Sequence, residues 1–566
     1  MKNLLLLLAL LGHLAFAYSQ ETEWLVQEHD QGLEDFRQMA YVNSQDEPFL
    51  INYLRHIIPG SIEEGPVTEH FIYAYDTAGT FLWRYETDQS PIAILTKEDD
   101  RFWIVTNGPN SLQVRNGILQ SNSNTAGNLY FVEMDNQGQV LSHFIWEFGS
   151  NISQFIEDVE FDTNGDFLLL GRWLTTQFQD DTLSFANTVI SLDGLETTHF
   201  IGQISATGTE MSVQTTQSSR NGNPVVLTRF AQNTLNGNIL IAGRARDILH
   251  IGNDVLLNNS ELPDLILLEF DANLNFLNGR HYITSNFGTV SQALRFNSQN
   301  GHFYLSGTCG NQLLLLDENQ PVQGHQNFIG NSYIAEFDGT NLVQGTYLIP
   351  QTNSDFFRSI TVFDIFFDNN DNLKVIANLL DESFSCGDSL ITLESDVTND
   401  SDIETVLLEL NSEDMTFMNC RATSGAGDEF LMAAQYDQES GSTYLAGHFV
   451  GSFEIDSLSV ESQEGERDGF LVKLKDDEGI NLGTDNTDDQ NFEIKVYPNP
   501  VYNDFVTIVS SETIEEIALV DQVNQVLFHA YPNSTEFRLH LGAFLNSGMY
   551  FLRINQNTTR KLLIKP

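Results

Sequence analysis

The sequence is poor in basic residues. Its 566 residues include 26 Lys+Arg against 78 Asp+Glu, a formal net charge of −52. Binding to a nucleic-acid backbone needs a basic face, and an anionic membrane surface repels so acidic a chain, so both partner classes are excluded. The chain is nevertheless 41% hydrophobic and 11% aromatic, unlike the composition of disordered proteins. We therefore expect a folded acidic protein.

Cysteine and long apolar runs are also scarce. The three cysteines, Cys309, Cys386 and Cys420, exclude a dense disulfide framework, and their spacings match no zinc motif. One disulfide with one remaining thiol fits this number, and the pairing stays open. After the N-terminal segment no stretch reaches about 18 apolar residues, so no transmembrane segment is predicted.

Catalytic motifs are missing as well. The sequence has no HExxH, no GxSxG, no P-loop and no GxGxxG after a strand, and its 13 His are scattered. We assign no catalytic and no cofactor-binding residue, and expect no cofactor. Carboxylates are so frequent that a pair at glycosidase spacing, about 5–9 Å, cannot be inferred from their presence.

The N-terminus has the pattern of a signal peptide. A basic start at Lys2 precedes the apolar run Leu4–Leu11, and Ala15–Phe16–Ala17 forms a small-x-small cleavage site. An uncleaved anchor is disfavoured because the apolar run is too short to span a bilayer. We expect a signal peptide over residues 1–17, cleavage after Ala17 and export.

One phrase recurs along the chain: alternating apolar residues on both sides of a turn rich in Asp, Asn and Gly. Such alternation around such a turn predicts a β-hairpin. The copies begin at Phe71, Leu129, Phe200, Leu265, Tyr333, Val406 and Phe470. A second phrase is a short apolar run that commonly ends in Gly, as at Gly171, Gly243, Gly307 and Gly447. It predicts an inner strand that is covered on both faces.

The repeat length favours a β-propeller. Successive hairpins begin 58–73 residues apart, enough for four strands per blade. We predict an all-β propeller over residues 21–479, with seven blades. The seventh is expected to combine the hairpin from Phe470 with the N-terminal Met39–Ile51, and six blades remain an alternative. A series of separate β-sandwiches is the other architecture built from such strands.

The hairpins resemble those of bacterial β-propeller repeat proteins with a D-x-F-[LV]-x-K-[LFY]-D-x-x-G motif. Asp468–Gly479 is the nearest copy and Asp264–Asp271 a looser one. Several copies carry Glu in place of the family's Lys, at Glu133, Glu269, Glu336 and Glu409. The resemblance implies a fold rather than an activity.

The C-terminal part differs in composition. An acidic linker is predicted over residues 480–491, and residues 492–566 contain 6 Lys+Arg and 7 Asp+Glu, a net charge of −1. Six or seven short strands in about 75 residues predict a small Ig-like sandwich. This segment resembles the C-terminal sorting domain of the type IX secretion system. The positions that match the motif of this domain are Tyr497, Pro498, Asn499, Pro500, Gly548, Tyr550, Lys561 and Lys565.

That resemblance implies the type IX secretion machinery as a partner, and release from the cell or attachment to its outer surface. An ordinary carbohydrate-binding sandwich is the alternative. Among possible binding residues, Asp162, Asn164 and Asp166 alternate in a tight turn as calcium ligands do, and Asp368–Asn372 is similar. Hairpin-turn chemistry is the favoured explanation of both.

Aromatic residues and one histidine are further candidates for ligand contacts. Four tryptophans could stack on sugars, although core packing is favoured, and His448 could face a central channel. The four are Trp83, Trp103, Trp146 and Trp173. We predict a non-catalytic secreted or surface protein that binds a protein or glycan, or serves in adhesion. The alternative is a propeller-based hydrolase or lyase that acts on glycans with acidic residues at its central channel.

Overall fold

A computed structural model describes residues 22–28, 33–43, 48–58, 67–97, 100–109, 111–121, 128–147, 152–175, 182–185, 188–191, 197–218, 225–246, 248–251, 254–256, 264–282, 289–309, 331–348, 360–379, 383–386, 389–392, 403–423, 425, 427–438, 440–455, 458–462, 467–475, 494–497, 505–514, 517–520, 526–540, 548–555 and 558–564. The chain forms two compact units, Met1–Asp476 and Asp477–Pro566. Each unit is described by itself.

All regular structure in the described residues is β-strand, as the alternating apolar pattern predicts. The strands of the first unit are β1 (Thr22–Glu28), β2 (Leu33–Val42), β3 (Phe49–Ile58), β4 (Val67–Asp76), β5 (Phe81–Thr87), β6 (Pro91–Thr96), β7 (Arg101–Gly108), β8 (Ser111–Val114), β9 (Gly117–Gln120), β10 (Asn128–Asp135), β11 (Val140–Trp146), β12 (Ile152–Phe161), β13 (Phe167–Thr175), β14 (Thr182–Phe185), β15 (Thr188–Ser191), β16 (Thr197–Ile204), β17 (Met211–Ser218), β18 (Val226–Gln232), β19 (Ile239–Ala245), β20 (Leu249–Ile251), β21 (Asp254–Leu256), β22 (Asp264–Phe270), β23 (Phe276–Tyr282), β24 (Thr289–Phe296), β25 (Phe303–Cys309), β26 (Asn331–Asp338), β27 (Asn341–Leu348), β28 (Ile360–Phe367), β29 (Leu373–Leu379), β30 (Ser383–Cys386), β31 (Ser389–Thr392), β32 (Glu404–Leu410), β33 (Phe417–Ala422), β34 (Glu429–Asp437), β35 (Ser442–Val450), β36 (Ser452–Ile455), β37 (Leu458–Glu461) and β38 (Arg467–Lys475).

These strands form seven antiparallel sheets. In spatial order, sheet 1 is β2-β3-β4-β5, sheet 2 is β6-β7-β10-β11, sheet 3 is β12-β13-β16-β17 with β20-β21 added at its edge, sheet 4 is β18-β19-β22-β23, sheet 5 is β24-β25-β26-β27, sheet 6 is β28-β29-β32-β33 and sheet 7 is β34-β35-β38-β1. Short hairpins β8-β9, β14-β15, β30-β31 and β36-β37 stand beside them. The six hairpins predicted from Phe71 to Val406 are confirmed as the third and fourth strands of sheets 1–6.

Sheet 7 combines strands from both ends of the repeat region, as predicted, but its N-terminal strand is not the predicted one. The hairpin strand from Phe470 pairs with β1, and Val26 lies opposite Leu471. The segment Met39–Ile51, predicted to join it, belongs to sheet 1 instead. The prediction was wrong because each inner phrase pairs with the hairpin that follows it in the chain, so Met39–Ile51 already has its partner in β4.

Hydrophobic clusters fill the space between successive sheets. Separate clusters lie between sheets 1 and 2, 2 and 3, 3 and 4, 4 and 5, 5 and 6, and 6 and 7. A further cluster joins sheet 7 to sheet 1, where Tyr444 and Leu471 pack with Leu50 and Tyr73. Burying both faces of most strands explains why the inner phrases are continuous apolar runs rather than alternating ones.

The first strand of each sheet carries the same irregularity. β2, β6, β12, β18, β24, β28 and β34 each contain a β-bulge against the second strand of their sheet. Each first strand also contacts the first strands of two other sheets, in the order β2, β6, β12, β18, β24, β28, β34 and back to β2. A bulge increases the local twist and redirects side chains.

The bulges explain the glycines that end the inner phrases. Gly243 of β19 and Gly447 of β35 stand opposite the residue that precedes the bulge. A Cβ on Gly243 would lie 2.4 Å from the carbonyl oxygen of Val226, and one on Gly447 would lie 2.0 Å from that of Phe430. Only glycine fits so close an approach of two backbones.

The second unit contains two sheets. Its strands are β39 (Ile494–Tyr497), β40 (Phe505–Ile514), β41 (Ile517–Val520), β42 (Val526–Ala530), β43 (Ser534–His540), β44 (Gly548–Ile554) and β45 (Thr558–Ile564). One sheet has the order β39-β40-β43 and the other β42-β41-β44-β45. Both contribute to one core, in which Ile508 and Leu539 of the first sheet pack with Leu519 and Leu552 of the second.

Two further features bear on the sequence predictions. Cys420 of β33 is in a disulfide, and β30, which ends at Cys386, packs against β33. No helix of the described residues is long and apolar enough to cross a membrane.

Candidate functional site

Charged side chains converge where the first strands meet. Asp158 and Glu160 lie on β12, Arg229 on β18, Arg295 on β24 and Asp364 on β28. Arg295 Nη1 is 3.7 Å from Glu160 Oε1 although sheet 4 separates their sheets. This distance between side chains of sheets that are not neighbours in the series shows that the two side chains extend toward each other past sheet 4. We call these five residues the central cluster.

Arg295 is the hub of the central cluster. Its Nη2 donates to both carboxylate oxygens of Asp364, at 2.9 and 3.2 Å. Its Nη1 also donates to the Leu294 carbonyl at 3.1 Å. The side chains of Arg295, Glu160 and Asp364 are 35%, 37% and 19% exposed. A guanidinium that donates to both oxygens of a carboxylate is fixed in its orientation as well as attracted by the opposite charge.

The remaining members of the cluster bond to backbone groups of neighbouring strands. Arg229 donates from Nε to the Gln292 carbonyl at 2.6 Å and from Nη1 to the Thr228 carbonyl at 2.8 Å. Asp158 accepts from the Phe230 amide at 3.3 Å. Gln292 is the bulge residue of β24, so the side chain of Arg229 satisfies a carbonyl that the bulge takes out of the ladder.

Two glutamines make the same kind of bond elsewhere among the first strands. Gln38 of β2 donates to the carbonyls of Pro91 and Ile92 on β6, at 3.0 and 2.6 Å. Gln435 of β34 donates to the Met39 carbonyl of β2 at 3.2 Å. The polar groups of the first strands thus connect one sheet to the next, which is a structural role.

The electrostatic environment changes the proton affinities in the central cluster. Burial raises the pKa of Glu160 to about 7, against the opposing effect of Arg295, and Asp158 and Asp364 add to the increase. Burial also raises the pKa of Asp158, although Arg229 and Arg295 oppose it. The carboxylate of Asp364 raises the pKa of Arg295. The charge of Glu160 therefore changes near neutral pH.

The sequence reasoning missed this cluster. It expected acidic residues at a central channel for one alternative function, but named none. A signal was present, because charged residues in the middle of apolar strands, as at Asp158 and Asp364, are costly unless they are paired. Which of the many acidic residues face one another depends on the arrangement of the sheets, which no local pattern contains.

The calcium candidates lie in the turn between β12 and β13, where the carboxylates of Asp162 and Asp166 accept hydrogen bonds. Asp162 Oδ1 accepts from the amides of Asn164 and Asp166, at 2.8 and 2.9 Å. Asp162 Oδ2 accepts from Gln203, and Asp166 accepts from the Ala206 amide at 3.1 Å. The same pair of amide bonds recurs at other turns of the unit, at Asp76, Asp135, Asp271 and Asp368.

A recurring aspartate that caps its own turn is hairpin chemistry. No group of three or more His, Cys, Asp or Glu in the described part of the chain is arranged to hold a metal ion. Calcium at Asp162, Asn164 and Asp166 stays a prediction that this geometry does not favour.

The aromatic candidates are core residues. Trp83, Trp103, Trp146 and Trp173 are all buried. Trp173 stacks on Phe200 with ring centroids 4.1 Å apart, and the Trp83 indole donates to the Asn136 carbonyl at 2.8 Å. His448 is buried on β35, the second strand of sheet 7, and stacks on Phe430. It therefore does not line the space between the first strands.

Short hairpins project from one end of the sheets. In an antiparallel sheet the links between strands one and two, and between three and four, lie at one end, and the link between two and three lies at the other. The hairpins β8-β9, β14-β15, β20-β21, β30-β31 and β36-β37 all occur in that second-to-third link, in sheets 2, 3, 4, 6 and 7. We call this end the hairpin face.

The hairpin face carries exposed apolar side chains. Ile118 of β9 is 62% exposed and Val255 of β21 is 50% exposed. At the opposite end of the sheets, five of the links are Asp-capped tight turns, at Asp76, Asp135, Asp162, Asp271 and Asp368. The two ends therefore differ in kind, and the hairpin face offers the more variable surface.

The sorting-motif residues lie in the second unit or outside the described residues. Tyr497 ends β39, Gly548 begins β44, and Tyr550 of β44 packs partly buried against the core. Lys561 lies on β45, opposite Phe551 of β44. Pro498, Asn499, Pro500, Lys565 and the predicted cleavage residue Ala17 lie outside the described residues.

Comparison with known families identifies the tail. Residues 495–565 match the family model of the secretion system C-terminal sorting domain. The protein is therefore exported by the type IX secretion system, to be released or attached at the outer cell surface, and its tail interacts with that machinery. No curated protein matches the sequence significantly.

Solved structures resemble the chain only distantly. An acylaminoacyl peptidase of Pyrococcus horikoshii is 11% identical with a TM-score of 0.37, over 85% of this chain and 59% of its own. PorZ, a surface component of the type-IX secretion system of Porphyromonas gingivalis, is 9% identical with a TM-score of 0.17, over 96% and 100%. A Synechocystis apocarotenoid oxygenase is 10% identical with a TM-score of 0.28, over 80% and 93%. With TM-scores this low, none of them carries an argument about this chain.

Proposed function

We propose that the protein is a secreted or surface-attached, non-catalytic binding protein built on a closed seven-bladed β-propeller. The seven sheets would be the blades, and the pairing of β1 with β38 would close the ring. Three observations support closure: the cyclic contacts of the first strands, the seven hydrophobic clusters between sheets, and the strand from the N-terminal end in sheet 7. The second unit, with two sheets around one core, fits the predicted Ig-like sandwich.

The observation that carries the binding role is the set of hairpins on one face. Five of the seven sheets have an inserted hairpin at the same link, and apolar side chains on two of them are exposed to solvent. A rigid scaffold that presents variable loops on one face is a common design for recognition. A protein or glycan ligand is the class that suits an acidic exported chain.

The binding role can be tested with the mature full-length chain. Its binding to panels of glycans and extracellular proteins is compared with that of an Ile118→Asp, Val255→Asp variant. A matched Leu277→Asp, Met418→Asp variant changes two equally exposed residues on the outermost strands β23 and β33. We expect the hairpin variant to lose binding and the matched variant to keep it. Equal binding by both variants would reject the hairpin face.

A glycan hydrolase or lyase acting at the central cluster is the second candidate. One observation favours it: Glu160, with its raised pKa, stands half-exposed beside two further acids. Against it, Arg295 and Arg229 balance much of the acidic charge, and the hydrogen bonds of Asp158 and Asp364 are used within the protein. Cleavage of a polysaccharide by the pure protein, abolished by Glu160→Gln, would support this candidate and overturn the first.

A further inference from the structure

Among the described residues of the second unit four strands lie at a sheet edge, and one of them has no charged residue of the kind that protects such edges. Sheet edges expose unpaired backbone groups, and proteins guard them with charged side chains. β39 contains Lys495, β43 contains Glu536 and Arg538, and β45 contains Arg560 and Lys561. β42, with the sequence Val526–Ala530, has no Lys, Arg, Asp or Glu.

β42 exposes an apolar side chain on each face of the sheet. Leu527 is 40% exposed and Phe528 36%, and adjacent residues of a strand point to opposite faces. Tyr531, directly after the strand, is 65% exposed. The neighbouring strand is different, because Leu519, which lies opposite Phe528, is buried. Among the residues that the structure describes, β42 is paired along one edge only, and an uncharged strand with an exposed apolar side chain on each face suits a protein partner.

The absence of charge on β42 indicates the chemistry of its partner. The chain as a whole carries −52, yet this strand and its flank up to Tyr531 carry no charge apart from the titratable His529. A partner that binds this edge needs no basic groups. It needs an extended backbone to pair with β42 and apolar side chains on both sides of it.

We infer that β42 is the docking edge of the sorting unit, and that the occupant is an uncharged, apolar β-strand of the type IX export machinery that adds to the sheet beside β42. The inference rests on export through the tail, which the family match to residues 495–565 supports. The docking strand extends the sheet with backbone hydrogen bonds. Leu527, Phe528 and Tyr531 supply the apolar contacts on its two faces.

The test compares two variants of the full-length protein in a bacterium that has a type IX system. Leu527→Lys with Phe528→Lys places charges on β42. Leu277→Lys with Met418→Lys places the same charges on residues of the first unit that are 50% and 52% exposed on edge strands. Because burying an unpaired charge weakens docking, we expect secretion of the β42 variant to fall about tenfold or more, with accumulation in the periplasm. The matched variant is expected to be secreted like the wild type.

Secretion of a folded β42 variant at the wild-type level overturns the inference. A third chain, which lacks residues 492–566, distinguishes a failure of the proposed docking edge from a failure of export through the tail. If that deletion blocks secretion and the β42 variant is secreted normally, the docking edge is wrong while export through the tail stands. If the deletion is itself secreted, export through the tail fails.

A second measurement decides the case in which the β42 variant does not fold. A photo-crosslinking amino acid replaces Leu527 in one chain and Leu277 in another, and both are irradiated in cells. We expect position 527 alone to give an adduct with an outer-membrane component of the export machinery. An adduct between two copies of this chain, or no adduct at position 527, contradicts the inference.

Discussion

Glu429, at the start of β34, is expected to make the first unit less stable as the pH becomes alkaline. Its side chain is buried, as is that of Glu404 at the start of β32. No ion pair reaches Glu429 in the part of the chain that the structure describes, and a Cβ on Gly425 would lie 2.6 Å from its Oε1. Burial, with the charge of Glu404 adding to it, raises the pKa of Glu429 to about 10.

The sign and size of the effect follow from proton linkage. Between the ordinary pKa of 4.5 and about 10, the folded state holds a proton on Glu429 that the unfolded state has lost. Stability therefore falls as pH rises through this window. Each pH unit costs about 1.4 kcal/mol for one proton, so the loss from pH 7 to pH 9 is about 3 kcal/mol. For a unit of roughly 450 residues this lowers the Tm by about 3 °C.

Replacing Glu429 by Gln removes the titrating group and should remove this slope. Thermal unfolding of the wild type and of Glu429→Gln is measured from pH 7 to pH 9, a range above the ordinary pKa of histidine. Glu461→Gln, at an exposed position on β37, is the matched control and should keep the wild-type slope. If Glu429→Gln loses stability with pH as steeply as the wild type, Glu429 is ionised in the folded protein and the reasoning fails.

Three further predictions concern the same unit. Arg295→Met removes the ion pair with Glu160 and the hydrogen bonds to Asp364, and should cost about 2 kcal/mol in urea unfolding at pH 8, and less at pH 5, where Glu160, with its pKa of about 7, is protonated and the ion pair is already lost; equal losses at both pH values would contradict the role of charge. Gly243→Ala forces the backbone away from the Val226 carbonyl and should cost about 1–3 kcal/mol; an unchanged Tm would mean that the close approach is absent. Peptide mapping under non-reducing conditions should join Cys420 to Cys386, and reducing this bond should cost about 4 kcal/mol for a loop of roughly 35 residues. Any other partner of Cys420 would show that the contact between β30 and β33 does not identify the disulfide partner.

Much of the local structure could be predicted from the sequence, for a physical reason. Alternation of apolar residues and the Asp, Asn and Gly of tight turns act within one hairpin, so the pairs that begin at Phe71, Leu129 and Leu265 were predictable. The glycines at the ends of inner strands also carried information. Gly243 and Gly447 mark bulges in the strand opposite, which the sequence alone showed only as close backbone approach.

What depends on the arrangement of sheets was not predictable. Any inner phrase can pair with the hairpin before it or after it, and only three-dimensional packing decides, which is why Met39–Ile51 was assigned to the wrong sheet. The central cluster needs side chains from β12 and β24, more than 130 residues apart in sequence, to meet across sheet 4. With 78 acidic residues to choose from, no spacing rule selects Glu160.

Cell fractionation of the full-length protein beside a chain that lacks residues 492–566 tests the central claim most directly. The account predicts that the full-length protein is found in the medium or on the outer surface, and that the shortened chain stays folded in the periplasm. Equal amounts of both chains outside the cell would contradict it.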